Sequence, residues 1–215
     1  MKLADKIVII VLLIFSVSSA LYVIGCAGCW IWLHIYDGGF HQVLSDSERL
    51  SRSNIVSTAK EWLGTTENTE RHLQLLEIYN SHKPLARGYV VTTDDNWCAT
   101  FASAVAIEQN ATDIIPTECG CERQIELWKN KDRWTEKDSH FPLPGDYIYY
   151  NWNDSWNLND NTGWADHVGI VVGTTGPLIK VIEGNKENSV CYRIISRFDY
   201  RIRGYGPPDY VYKTQ

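Results

Sequence analysis

The string "DHVGIVVGTTGPLIKVIEGN", residues 166–185, constrains the fold of this 215-residue chain more than any other stretch. A Val/Ile-rich run starts at His167 and ends at Gly173, and "LIKVIEGN" follows a "TTGP" turn. Short apolar runs bounded by turn residues are the pattern of two buried strands joined as a hairpin. Pairing of those strands brings His167 beside Glu183, and a carboxylate or amide there fixes the tautomer and orientation of an imidazole. The other five histidines (His34, His41, His72, His82, His140) lie in contexts with no cooperating pattern.

A second chemical group stands upstream. In "DNWCATFASA" polar loop residues give way at Cys98 to a small-residue run that supports a helix. A thiol at a helix N-terminus is favoured as thiolate by the helix dipole and free backbone N–H groups. The competing reading is a buried structural thiol, because free cysteine is among the most buried residue types. His167 and Glu183 shift the balance toward a nucleophile.

The strings "NWCATF", "PLPGDYIYYNW", "DHVGIVVG" and "VIEGN" occur in this order. Together they resemble the CHAP family of amidohydrolases and peptidases that cut bacterial peptidoglycan. The resemblance runs from about Asn54 to the C-terminus, including "RIRGYGPPDY". It implies an α+β, papain-like fold in which N-terminal helices pack on an antiparallel sheet. It also implies catalytic roles: Cys98 as nucleophile, His167 as base, Glu183 as orienting acid, and Asn185 as the accompanying amide. The chemistry calls for no metal and no cofactor. Trp97 and Trp164 are candidate groove residues for a glycan or stem peptide, and Asp146, in the turn "PGD", reads as a turn-former. The resemblance divides between amidase and endopeptidase activity on the peptidoglycan partner. A phage-type lysis enzyme and a non-catalytic wall-binding scaffold are the alternative readings.

Ahead of this domain, Ile7 to Leu33 is 27 residues without a charge, behind Lys2 and Lys6. Roughly 20 apolar residues cross a bilayer, whereas a signal-peptide apolar core is about 7 to 15. The expectation is therefore one transmembrane helix within residues 1–36, its N-terminus cytoplasmic by the positive-inside rule. A polar linker over 37–53 and an extracytoplasmic domain over 54–215 would follow. Cleavage after Ala20 and lipid attachment at Cys26 are the competing readings.

Two helices are expected early in the domain, "NIVSTAKEWLG" with Gly64 as its cap and "TERHLQLLEIYNS" ending before Pro84. "GYVVTTDDN" reads as a strand or extended loop. Outside the membrane a disulfide between Cys191 and either Cys119 or Cys121 is plausible. The Asn/Asp-rich segment 151–164 lacks the regular ligand spacing of an EF-hand. A net charge of -6 excludes the basic footprint of a nucleic-acid-binding protein.

Overall fold

A computed structural model describes residues 44–136, 140–153 and 163–211. They belong to a compact unit beginning at Leu44. The expected membrane segment, 7–33, and most of the Asn/Asp-rich segment lie outside the described residues. Among those described, no helix is long and apolar enough to cross a membrane.

Helix α1 spans Asp46–Glu61 and α2 spans Glu70–Ser81. The first begins inside the stretch read as a linker. Ser45 caps it by accepting from the Glu48 backbone N–H at 3.1 Å. Its buried face includes Arg52, Ile55, Val56 and Ala59, so the helix is held by packing from its first turns. Arg52 crosses to the sheet layer, donating to Asp146 Oδ1 at 2.8 Å and to Glu48 Oε1 at 3.0 Å. Asp146 also accepts from the Leu143 backbone N–H and pairs with His140 Nε2 at 2.7 Å. Its carboxylate builds the turn into the sheet, as the sequence suggested. The stretch 89–97 forms no strand. It is a loop tied by Asp95, which accepts from Tyr89 Oη and from the Thr92 backbone N–H, each at 2.8 Å.

Helix α3 (Cys98–Glu108) and helix α4 (Cys121–Asn130) complete the helical layer. The first nine residues of α3 are all buried, which explains why it is built from Ala, Ser and Thr around Phe101 and Val105.

Among the described residues six strands follow: β1 (Thr135–Glu136), β2 (Tyr147–Tyr150), β3 (His167–Thr175), β4 (Leu178–Lys186), β5 (Ser189–Ser196) and β6 (Ile202–Gly206). They form one sheet in the order β1-β6-β2-β3-β4-β5, with every neighbouring pair antiparallel. The hairpin read from the sequence is β3 and β4, with Thr175 opposite Leu178 and Gly169 opposite Glu183.

The sheet is buried on both faces. Tyr147, Tyr149, Val168, Ile170 and Ile182 join the helices in the main core. Ile148, Tyr150, Val171, Val181, Ile202 and Tyr205 form a second apolar cluster. Two glycines permit the closest approaches of helix to sheet. A Cβ at Gly184 on β4 would come within 2.4 Å of Phe101 Cβ on α3, and one at Gly206 within 2.3 Å of the Trp128 ring on α4. The fold is thus α+β, consistent with a papain-like arrangement.

Candidate active site

The site lies where the N-terminus of α3 meets the β3–β4 hairpin. Cys98 is the first residue of α3. His167 opens β3, and Glu183 is one register step away across the hairpin, opposite Gly169. His167 Nε2 lies 3.1 Å from Glu183 Oε2, which leaves the other ring nitrogen for the thiol. His167 and Cys98 are close enough for each to favour the charged form of the other.

The carboxylate is fully buried, and its second oxygen accepts from Arg193 Nε at 2.6 Å. Arg193 reaches over from β5 and stacks on the Trp152 ring, 4.3 Å from guanidinium carbon to ring centroid. A charge removed from water persists only where partners compensate the lost hydration. Here two cationic or donating groups, one on each oxygen, do so. Burial pushes the Glu183 carboxyl up, but the hydrogen bonds and charges of His167 and Arg193 outweigh it and hold it below the usual range.

The same competition sets the other two groups. Burial pulls the His167 imidazolium down, yet the hydrogen bonds and negative charges of Cys98 and Glu183 lift it to about 9. The Cys98 thiol is driven well below its ordinary value, first by a hydrogen bond from Cys121, then against burial by the hydrogen bond and charge of His167 and by the Ala99 backbone N–H. Both shifts favour a thiolate facing an imidazolium.

Cys98 is reached through a cleft of about 370 Å³. Tyr89, Asn96, Cys121, Trp164 and Asp166 line it with the nucleophile. Glu122 holds the far wall in place by accepting from the Ala165 backbone N–H at 2.9 Å.

Of the residues singled out from the sequence, Cys98, His167 and Glu183 come together directly. Asn185 sits beside them with φ +55, and its Nδ2 donates to Asn96 Oδ1 at 3.2 Å. It meets the cleft through Asn96. Trp164 is a cleft residue and 68% exposed. Trp97 is not: it is fully buried, with its ring 4.6 Å from His72, because the turn into α3 points it away from the cleft and into the helical core.

The expected disulfide is absent among the described residues, where Cys98, Cys119, Cys121 and Cys191 are all free. Cys191 is turned toward Lys186 O on the hairpin side, whereas Cys121 Sγ lies 3.6 Å from Cys98 Sγ. Sequence reading missed Cys121 and Arg193 as site residues. Cys121 belongs to a helix start that resembles that of Cys98, a signal available in "ECGCE". Nothing local marks Arg193, which comes to Glu183 only through strand pairing.

Fold and site together define an α+β domain, consistent with a papain-like arrangement, that brings a cysteine, a histidine and a carboxylate into one row. Residues 88–185 match the family model of the CHAP domain, a span that includes Cys98, His167, Glu183 and Asn185. The matched family is one of peptidoglycan-hydrolase-type amidases and peptidases that are generally cysteine- and histidine-dependent. No curated protein matches the chain. Helices α1 and α2 and strands β5 and β6 lie outside the matched span, yet β5 supplies Arg193.

Proposed function

We propose that the protein is a peptidoglycan hydrolase that cleaves an amide bond, with Cys98 as the nucleophile. The observation that carries this reading is the row from Cys98 through His167 to the buried Glu183, opening onto a cleft. The Cys98 thiolate attacks the amide carbonyl, and backbone N–H groups at the start of α3 stabilise the oxyanion. His167 gives its proton to the leaving amine, so that an acyl-enzyme remains and the amine departs neutral. Water then enters, His167 takes its proton, and the hydroxide releases the acyl group. Glu183 holds the imidazole ring in position through both steps. Asn185 acts through Asn96 at the cleft edge, and Trp164 offers an aromatic face to a sugar or stem peptide.

Residues 7–33 anchor the enzyme in the membrane with the catalytic domain on the extracytoplasmic side. The 27 uncharged residues behind two lysines support this placement. The substrate is then the bacterial wall beside the anchor.

The test is digestion of purified peptidoglycan by the full-length protein, with released fragments identified by mass spectrometry. Fragment masses distinguish an N-acetylmuramoyl-L-alanine amidase from an endopeptidase. Absence of release across several wall types and pH values, from folded protein, overturns the proposal. Cys98→Ala separates the enzyme from a wall-binding scaffold, since turnover should fall roughly 10³-fold or more.

A further inference from the structure

The described part of the chain has four thiols, and two of them share the reaction centre. Cys98 Sγ and Cys121 Sγ are 3.6 Å apart, both buried, and each belongs to the first residue of its helix. Cys119 also lines the cleft, but its sulfur is engaged by other partners, 3.4 Å from Glu118 Oε1 and 3.7 Å from an Arg87 nitrogen. Cys191 faces Lys186 O. Both Cys98 and Cys121 line the same cleft, so a small solute that reaches one sulfur reaches the other.

We propose that Cys98 and Cys121 form an oxidation site, in which a hydroperoxide converts the two thiols to a disulfide that stores the nucleophile in an inactive, recoverable form. The inference rests on the reading of Cys98 as nucleophile for its functional consequence, but not for its chemistry.

The reaction balances in two steps. The Cys98 thiolate attacks the terminal oxygen of the hydroperoxide; the S–O bond forms and the O–O bond breaks. The leaving alkoxide or hydroxide takes the His167 proton. Cys98 is now a sulfenic acid, oxidised by two electrons, and the peroxide is reduced to an alcohol or water. Cys121 then attacks the Cys98 sulfur. The S–S bond forms, the S–O bond breaks, and hydroxide leaves as water with the Cys121 proton. A small thiol reverses the reaction by exchange.

The geometry suits the second step. Closing the sulfurs from 3.6 Å to the bonded distance of about 2.05 Å is a movement on the scale of side-chain rotation. The division of roles follows from the environment. The hydrogen bond with Cys98, then burial and the Cys98 charge, raise the Cys121 thiol well above its ordinary value, so Cys98 reacts first and Cys121 resolves. Without a resolving thiol so close, the sulfenic acid of a low-pKa cysteine proceeds to irreversible acids.

The test uses the full-length reduced protein, treated with graded hydrogen peroxide, blocked with iodoacetamide and digested without reductant. The expected result is a peptide pair joining Cys98 to Cys121, lost on reduction, together with hydrolase activity that dithiothreitol restores. In Cys121→Ser and Cys121→Ala, Cys98 should instead gain two or three oxygens, and the lost activity, relative to each variant's own starting value, should not return. Recovery of wild-type Cys98 as sulfinic or sulfonic acid, at the rate seen in the variants and with no linked peptide, overturns the proposal. So does linkage of Cys98 to Cys119 instead. The peptide readout needs no turnover, so a reduced enzyme that forms the link but cleaves no wall refutes only the assigned function.

Discussion

Gly184 and Phe101 set the distance between the strand that carries Glu183 and the helix that carries Cys98. A methyl group on Gly184 would overlap Phe101 Cβ at 2.4 Å and the ring at 2.7 Å. Gly184→Ala is expected to destabilise the fold by roughly 1–3 kcal/mol through overpacking, measured by urea denaturation. It should also lower kcat more than Gly173→Ala, since a Cβ at Gly173 on the same hairpin meets nothing within 4 Å. Equal kcat for the two variants would remove the link between this contact and the site.

In the proposed mechanism the His167 imidazolium protonates the leaving amine, and Cys98 and Glu183 lift its pKa to about 9. Activity should therefore be sustained above neutrality and fall as pH rises through about 9. Glu183→Gln removes a charge that raises this pKa, so the alkaline limb should move to lower pH. The same variant should lose about 10²- to 10⁴-fold in kcat. A pH-rate profile of both proteins checks the direction, and an alkaline limb that stays in place would exclude Glu183 as the carboxylate acting on His167.

Arg193 touches neither thiol nor imidazole. It holds the far oxygen of Glu183, at 2.6 Å, and so acts as a positioning residue. Arg193→Met should lower kcat about tenfold with little change in KM, because one charge-assisted hydrogen bond of roughly 1.5–3 kcal/mol orienting the carboxylate is lost. Arg193→Lys should recover part of that loss. Steady-state kinetics decide, and a rise in KM at constant kcat would assign Arg193 to substrate binding instead.

Arg52 is buried between Glu48 and Asp146, which precedes β2 at the end away from Tyr150, the register partner of His167. Arg52→Met leaves the buried Asp146 carboxylate with only His140 and the Leu143 N–H as partners and should cost up to about 3–5 kcal/mol. Chemical denaturation gives that number. Turnover per folded molecule should be unchanged, since this network reaches the site only through the fold; a selective loss of kcat in fully folded variant would contradict that separation.

Much of this architecture can be read from the chain. The β3–β4 hairpin announces itself through two apolar runs and a turn, and its register puts His167 beside Glu183. Cys98 is legible as a helix opening because small residues follow it. Other features escaped for physical reasons. Helix α1 begins at Asp46, and its start was hidden because its buried face uses Glu48 and Arg52, polar residues that pair with each other one turn apart and, through Arg52, with the distant Asp146. The Ser45 cap with Glu48 three residues on was the available signal. Trp97 was placed in the groove by adjacency to Cys98, but successive residues at a helix start point in different directions. Arg193 and the Cys98–Cys121 approach depend on how separate elements dock, which local patterning does not encode.

The division of labour between the layers has a further consequence. Cys98, Cys121 and Asn96 belong to the helical half of the chain, whereas His167, Glu183 and Arg193 belong to the strands after Tyr147. Neither half holds both a nucleophile and a proton acceptor for it. Turnover is thus a gauge of docking between the two. Under the proposed chemistry, cutting the chain between Asn130 and Tyr147 should yield two separately silent fragments, with reassociation read from recovered wall hydrolysis.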